Sequence, residues 1–220
     1  MTRSLLFSGL LILSVLAACS SNVVQETRAI STPTVVLTPT YTPTPKSTPA
    51  PTTTPTPSST PTAMLPPISL TFKPVADSFV DNSKTGTNFG TSNGLRVDAL
   101  PVVNTYLRFA VQGMGLRPIS QVRLLVYAYS ASTQGLAVRA VADNTWAERT
   151  ITASNAPALG GTLAASSKVA SRDWITFDVT SYINGDGTFS FGLTTSGPKA
   201  ISLAARESVV YSPRLIVDLH

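Results

Sequence analysis

The sequence contains one cysteine and one histidine among its 220 residues, and this scarcity excludes several kinds of chemistry. A single thiol cannot form an internal disulfide, so the fold must be stable without one. The histidine is the last residue, His220, which leaves no ordered imidazole for a Ser-His-Asp triad or for a zinc site of the usual ligand types. Cysteine catalysis is excluded as well, and we expect a protein that is not an enzyme.

Charged residues are also few, at 12% of the chain, with 16 Lys and Arg against 11 Asp and Glu. The positive balance results from a shortage of acids, and no dense basic run marks a nucleic-acid groove. We therefore expect no nucleic-acid partner. The carboxylates that glycoside hydrolysis would need are scarce, and Glu148 with Asp178 or Asp143 is the available combination. Tyr106 with Arg108 is the corresponding candidate pair for a polysaccharide lyase.

The N-terminus has the pattern of an export signal. A short basic start precedes an apolar stretch from Leu5 to Leu16, which is too short to remain as a spanning helix. Leu16-Ala17-Ala18-Cys19 resembles the bacterial lipobox, in which the cysteine is lipidated and becomes the mature N-terminus. This resemblance implies a signal peptide over residues 1–18 and an exported protein that is lipid-anchored through Cys19 at the cell surface or outer membrane. The alternative is an ordinary secretory cleavage region with an unrelated cysteine.

The next segment, residues 19–67, is interpreted as a disordered Thr/Pro-rich stalk. Thr, Pro and Ser dominate from Ser31 to Pro67, and almost nothing there can form a core. Frequent prolines remove backbone donors and fix φ, so an extended polyproline-like chain is expected. At about 3.1 Å per residue, such a chain reaches on the order of 100 Å. That length would hold the following domain clear of the lipid headgroups.

Residues 68–220 have the pattern of one all-β domain. Short stretches rich in Val, Ile, Leu, Tyr and Phe alternate with Gly, Pro, Asn and Ser clusters, and no long stretch has a helical period. This spacing predicts a two-sheet β-sandwich, jelly-roll-like, with very little helix. The predicted strands are Ser69 to Lys73, Leu95 to Asp98, Thr105 to Val111, Gln121 to Tyr129, Leu136 to Val141, Trp174 to Val179, Phe189 to Thr195, Ala200 to Ala205 and Arg214 to Leu219.

Alternation also predicts which way the strand residues face, because successive side chains point to opposite sides of a sheet. Leu107, Phe109 and Val111 are expected to face the core. Tyr106 and Arg108 are then expected on the outer face, where arginine beside tyrosine suits a carbohydrate platform. The alternative is that these are ordinary solvated positions.

Several short strings occur in the order that is found in one domain family. The strings are Ala76-Asp77-Ser78-Phe79-Val80, Thr87-Asn88-Phe89-Gly90, Tyr106-Leu107-Arg108-Phe109, Trp146-Ala147-Glu148-Arg149-Thr150-Ile151-Thr152, Asn155-Ala156-Pro157, Phe177-Asp178-Val179-Thr180 and Arg206-Glu207-Ser208. Together they resemble the DNRLRE domain, which is related to carbohydrate-binding module family 96, over nearly all of residues 72–219. The resemblance implies a β-sandwich that binds polysaccharide, with alginate the associated substrate class. The sequence departs from the family pattern at Ala153-Ser154, where an aromatic is usual, and at Ala205, where a serine is usual.

The resemblance also places basic residues at Arg96, Arg108 and Arg206. A guanidinium offers a planar fork of donors that can engage a uronate carboxylate in bidentate geometry. Tyr106 joins these arginines as a carbohydrate-binding candidate, and Arg139 and Lys168 are added on charge alone. Two alternatives to sugar binding by these arginines stay open. The first is that Arg206 forms a structural pair with a neighbouring acid.

The second alternative is that Tyr127 or Tyr129 stacks on the sugar, in which case binding would be insensitive to salt. A structural calcium ion is a further candidate, because Asp77, Asp81 and Asp178 carry oxygen ligands that could converge. Asx turns and strand-end caps are the other explanation of these aspartates.

These features together predict a surface lipoprotein whose sandwich binds an anionic, alginate-like polysaccharide without catalysis. One alternative is a structural or adhesive surface protein that binds another protein or the cell wall. The other is a small polysaccharide lyase or hydrolase.

Overall fold

The computed structural model describes residues 65–220. The predicted signal peptide, Cys19 and nearly all of the predicted Thr/Pro-rich stalk lie outside the described residues. Within residues 65–220 the fold is all-β, with eleven strands and one short 3₁₀ helix at Thr180–Tyr182. In this part of the chain, no helix is long and apolar enough to span a membrane.

The strands follow the sequence pattern closely. They are β1 (Ile68–Phe72), β2 (Ala76–Asp81), β3 (Gly94–Ala99), β4 (Val102–Val111), β5 (Ile119–Ala128), β6 (Leu136–Val141), β7 (Thr162–Ala165), β8 (Asp173–Asp178), β9 (Gly187–Thr195), β10 (Ile201–Ala204) and β11 (Arg214–Leu219). All nine predicted strands are present within a few residues of the predicted bounds, and β2 and β7 are the two that were not predicted.

The strands form two antiparallel sheets that share β3. In sheet I, β5 pairs with β8 on one edge and with β11 and the end of β10 on the other; β1 extends the sheet beyond β11. Sheet II has the order β2-β4-β9-β6-β7. The first part of β3 pairs with β10, and its end at Asp98 and Ala99 pairs with β4. The predicted two-sheet β-sandwich is therefore confirmed.

The main core lies between the two sheets. Val122 and Leu124 from β5 in sheet I are fully buried, as are Leu107 and Phe109 from β4 in sheet II. The ring of Phe109 packs edge to face against Phe191, with the centroids 5.9 Å apart. Burying a side chain of this size contributes about 1.5–3 kcal/mol to stability. The inward row predicted for β4 is confirmed.

A second, smaller core lies on the outer face of sheet II. The segment 142–161, which connects β6 to β7, folds back over β2 and β4 and places Trp146 and Ile151 against Tyr106 and Val80. Tyr106 is only 2% exposed, and its hydroxyl donates to the carbonyl of Pro157 at 2.8 Å. The prediction that Tyr106 lies on an exposed face is wrong, because alternation gives the side of the sheet but not what covers it.

Gly90 should be essential to this covered face. A Cβ added at Gly90 would lie 1.9 Å from the carbonyl oxygen of Glu148, so the two main chains would have to separate. We predict that Gly90→Ala lowers the free energy of unfolding by about 1–3 kcal/mol. The matched control is Gly86→Ala in the same loop, where an added Cβ meets no atom within 4 Å. Urea denaturation of residues 20–220 measures both, and equal effects of the two variants would contradict the packing described.

Candidate functional site

Arg206 lies in a network of carboxylates. Its Nε and Nη2 donate to the two carboxylate oxygens of Glu148 at 2.6 and 2.9 Å, and its Nε lies 3.2 Å from Glu207. The backbone N–H of Arg206 donates to Asp77 at 2.7 Å, and the backbone N–H of Asp77 donates to Glu148. The network joins β2, the segment 142–161 and the loop after β10. This geometry agrees with the structural alternative for Arg206.

Arg108 is also engaged within the protein. Its Nη1 donates to the carbonyl of Asn144 at 3.1 Å and to the carbonyl of Trp146, and its guanidinium lies 5.1 Å from the centre of a Trp146 ring. The side chain therefore holds the segment 142–161 against sheet II. Burial raises the pKa of the neighbouring Tyr106 to about 12, which is the opposite of what a lyase base requires.

The third arginine, Arg96, pairs with Asp98 at 2.8 Å. Asp98 is 4% exposed and also accepts the backbone N–H of Leu100 at 3.3 Å. The pair therefore fixes the start of the β3–β4 hairpin. Each of the three arginines that the resemblance selects therefore has a partner for its guanidinium within the protein.

The three aspartates proposed for calcium do not converge, and this part of the prediction is corrected. Asp81 accepts the backbone N–H and hydroxyl of Ser83, and Asp178 accepts the same two groups of Thr180, so that these hydrogen bonds lower the pKa of both carboxyls. These are the Asx turns of the alternative interpretation. Asp77 instead lies within 4.8 Å of Glu148 and Glu207.

The Asp77 cluster does not fit a calcium ion as it stands, because the guanidinium of Arg206 already occupies both oxygens of Glu148. The carboxylates considered for hydrolysis are likewise committed to local contacts. Glu148 binds Arg206, Asp178 caps Thr180, and Asp143 accepts the backbone N–H and hydroxyl of Thr145 at 2.7 Å.

The tyrosines considered for stacking form an aromatic cluster on the outer face of sheet I. Tyr127 stacks on Tyr211 with the ring centres 4.0 Å apart, and Trp174 packs against Tyr127 and carries the guanidinium of Arg214 over its ring. Tyr127 is 7% exposed, whereas Tyr129 at the edge of the cluster is 42% exposed. Trp174 and Tyr211 are half-buried, and the stacking of Tyr211 on Tyr127 packs the loop 205–213 onto the sheet.

Arg139 lines an open groove on the uncovered part of sheet II. The groove has a volume of about 570 Å³ and lies over β4, β6, β7 and β9, beside the second core. The pairing of β6 with β7 shifts register between Val138 and Arg139, and such an irregularity turns a side chain away from the regular pleat. Polar side chains that share the groove with Arg139 are Asn104, Gln134, Ser166, Ser167, Thr194, Thr195 and Ser196.

Lys168 lines a neighbouring groove of about 540 Å³ that also includes Lys199. Gln134 lines both grooves, so the two adjoin at this residue. The structure therefore brings Arg139 and Lys168 to adjoining open surfaces, whereas it places Arg96, Arg108, Arg206 and Tyr106 in internal contacts. Sequence reasoning missed Asn104, Gln134 and Lys199, since no local pattern distinguishes them from other polar loop and strand residues.

Comparison with known families decides the class of ligand. The family model described as "Carbohydrate-binding module family 96" matches residues 68–218. The chain belongs to carbohydrate-binding module family 96. The comparison with curated proteins finds no match. The family 96 module is therefore a carbohydrate-binding domain, and polysaccharide is its partner.

Among solved structures, the family 96 module is similar to the C-terminal CBM6 of LamC, a marine laminarinase from Zobellia galactanivorans. The identity is 10%, and the match covers 70% of this chain and 100% of that one, with a TM-score of 0.28.

The Arg206 network makes stability depend on pH through Asp77. Burial, together with the neighbouring carboxylates of Glu207 and Glu148, raises the pKa of Asp77 to about 7. The folded protein therefore holds this proton more tightly than the unfolded chain. The stability that protonation of Asp77 contributes is fully present below the unfolded pKa of 3.8, and it is lost as the pH rises to about 7.

Asp77→Asn keeps an oxygen acceptor for Arg206 but carries no charge. We predict that the stability of this variant relative to the wild type increases between pH 4.5 and pH 7, by on the order of 1 kcal/mol per pH unit. Urea denaturation at the two pH values measures the difference. If the difference in stability between the variant and the wild type is the same at pH 4.5 and at pH 7, Asp77 does not titrate in this range.

Proposed function

We propose that this protein is a lipid-anchored surface protein that binds an anionic polysaccharide, of the alginate-like uronate class, without cleaving it. Membership of family 96 supports polysaccharide as the partner. The observation that carries the preference for an anionic chain is the composition of the Arg139 groove. Among the described residues that line it, Arg139 is the one charged side chain, and the others are polar, small or aliphatic.

The groove has the chemistry that a uronate residue needs. The Nε of Arg139 donates to the carbonyl of Gly160 at 2.9 Å, and this bond orients the guanidinium. Among residues 65–220, no carboxylate lies within ion-pair distance of Arg139, so its charge is available to a ligand. The amides of Asn104 and Gln134 and the hydroxyl of Thr194 can exchange hydrogen bonds with sugar hydroxyls.

Binding without cleavage is supported by the same set of residues. Within the described part of the chain, the groove is lined by no carboxylate, histidine or cysteine that could act as an acid, base or nucleophile. The carboxylates that were candidates for hydrolysis, Glu148, Asp143 and Asp178, lie outside its lining. We therefore assign to the groove the binding of polysaccharide without its cleavage.

The N-terminal sequence supports the location. The lipobox-like string at Cys19 would attach the chain to a membrane, and several acyl chains form a stable anchor because each buried methylene contributes about 0.8 kcal/mol. The Thr/Pro-rich residues 19–67 would then carry the binding domain outward. Such a protein could hold an acidic polysaccharide at the surface of the cell.

The groove assignment predicts the effect of Arg139→Ala. Because a hydrogen bond to a charged group contributes about 1.5–3 kcal/mol, the variant should bind alginate roughly tenfold or more weakly. Binding by the wild type should also weaken as salt rises, since exposed charges are screened. The measurement is affinity electrophoresis of residues 20–220 through gels that contain alginate, pectin or neutral xylan.

The matched control is Arg149→Ala, which removes an exposed arginine outside the groove. It should migrate like the wild type. Unchanged mobility in every gel would contradict the proposal and favour an adhesive role toward protein or cell wall. New unsaturated or reducing ends on the polysaccharide would favour an enzyme.

The anchor is tested separately by Cys19→Ser. We predict that this variant leaves the membrane fraction and takes up no labelled fatty acid, whereas Ser20→Ala keeps both properties. Fractionation of the expressing cells followed by immunoblotting measures the distribution. Membrane attachment that persists without Cys19 would contradict lipidation at this residue.

A further inference from the structure

The groove that contains Arg139 adjoins a second groove at Gln134. The neighbouring groove of about 540 Å³ begins at the same residue and continues along the loops 129–135, 166–172 and 196–200. Both grooves have volumes within the range that is typical of sites for small ligands. A chain of several sugar residues that lies in the first groove would therefore meet the second as it passes Gln134.

The fold holds the second groove in a defined shape. Ser132 and Val169 form an isolated antiparallel bridge with backbone hydrogen bonds of 3.0 and 2.9 Å, which joins the loop before β6 to the loop before β8. Val169 is 3% exposed, so Lys168 extends from a backbone that is anchored on its C-terminal side.

The opposite wall packs directly onto Gln134. A Cβ added at Gly197 would lie 2.7 Å from the Cβ of Gln134, and the carbonyl of Gly197 accepts the backbone N–H of Ala99 at 3.3 Å. The loop that carries Lys199 is therefore tied to the β3–β4 hairpin.

The second groove is positively charged and has no compensating acid. Lys168 and Lys199 are exposed, and among residues 65–220 no carboxylate lies within ion-pair distance of either. The other side chains that line the groove are small, hydroxylic, amide or apolar. Together with Arg139, the two lysines give the adjoining grooves three cationic side chains and no anionic one.

We propose that the two grooves form one extended binding site for a stretch of several uronate residues, in which Lys168 and Lys199 make a second anionic subsite. This inference rests on the function proposed for the Arg139 groove. Arginine presents an oriented fork, whereas lysine is a point charge on a flexible stem. The first groove should therefore orient one sugar residue, and the lysines should add affinity for the neighbouring residues with little demand on their geometry.

The extended site predicts that affinity depends on chain length. Each exposed ion pair contributes modestly, so the two lysines together should make a hexauronate bind up to about tenfold more tightly than a diuronate. Lys168→Ala/Lys199→Ala should remove this gain and leave diuronate binding unchanged. Isothermal titration calorimetry of residues 20–220 with alginate-derived oligomers of two and six residues measures both affinities.

The matched control is Lys73→Ala/Lys84→Ala, which makes the same change in net charge at exposed lysines outside both grooves. It should retain the length dependence. Full hexauronate affinity in Lys168→Ala/Lys199→Ala, with loss of binding in Arg139→Ala, would overturn the second subsite and leave the proposed function intact. Full affinity in both variants would overturn both. An equal loss for the two oligomers in the lysine variant would also overturn the extended site.

Discussion

The attachment of the segment 142–161 to the outer face of sheet II is the interaction on which the rest of the surface depends. Arg108 donates to two carbonyls of this segment and lies over Trp146, while Arg206 binds both oxygens of Glu148. These contacts cover β2 and β4 and leave the part of the sheet around β6 and β7 open. Leu159 packs against the second core and also lines the groove, so the edge of the covered area is the edge of the binding surface.

This arrangement separates the residues that define the family from those that we assign to the ligand. The strings that resemble the family contain Arg108, Trp146, Glu148 and Arg206, all of which hold the segment in place. The groove residues lie outside these strings. The family strings thus supply contacts of the scaffold, and the choice of polysaccharide would lie with groove side chains such as Arg139.

Which side chains of a strand are buried could be predicted where apolar residues alternate, as in β4, because successive side chains point to opposite faces of the sheet. Strand β2 could not, since Asp77 and Asp81 make it look like a loop although both are buried. The outward direction of Arg108 was predictable, but its partial burial was not, because the residues that cover it are nearly 40 positions away in sequence. For the same reason, charge alone could nominate Arg139 and Lys168, whereas their common neighbour Gln134 required the folded structure.

Mapping the bound surface by NMR would show directly whether the polysaccharide occupies the open part of sheet II. Backbone amide shifts of residues 20–220 would be followed as an alginate-derived oligomer is added at low salt. We expect the largest changes to cluster at residues 134–139, 166–168 and 194–199, around the open part of sheet II. Changes centred on Arg108 and Trp146, or on the aromatic cluster around Tyr129 and Tyr211, would contradict it.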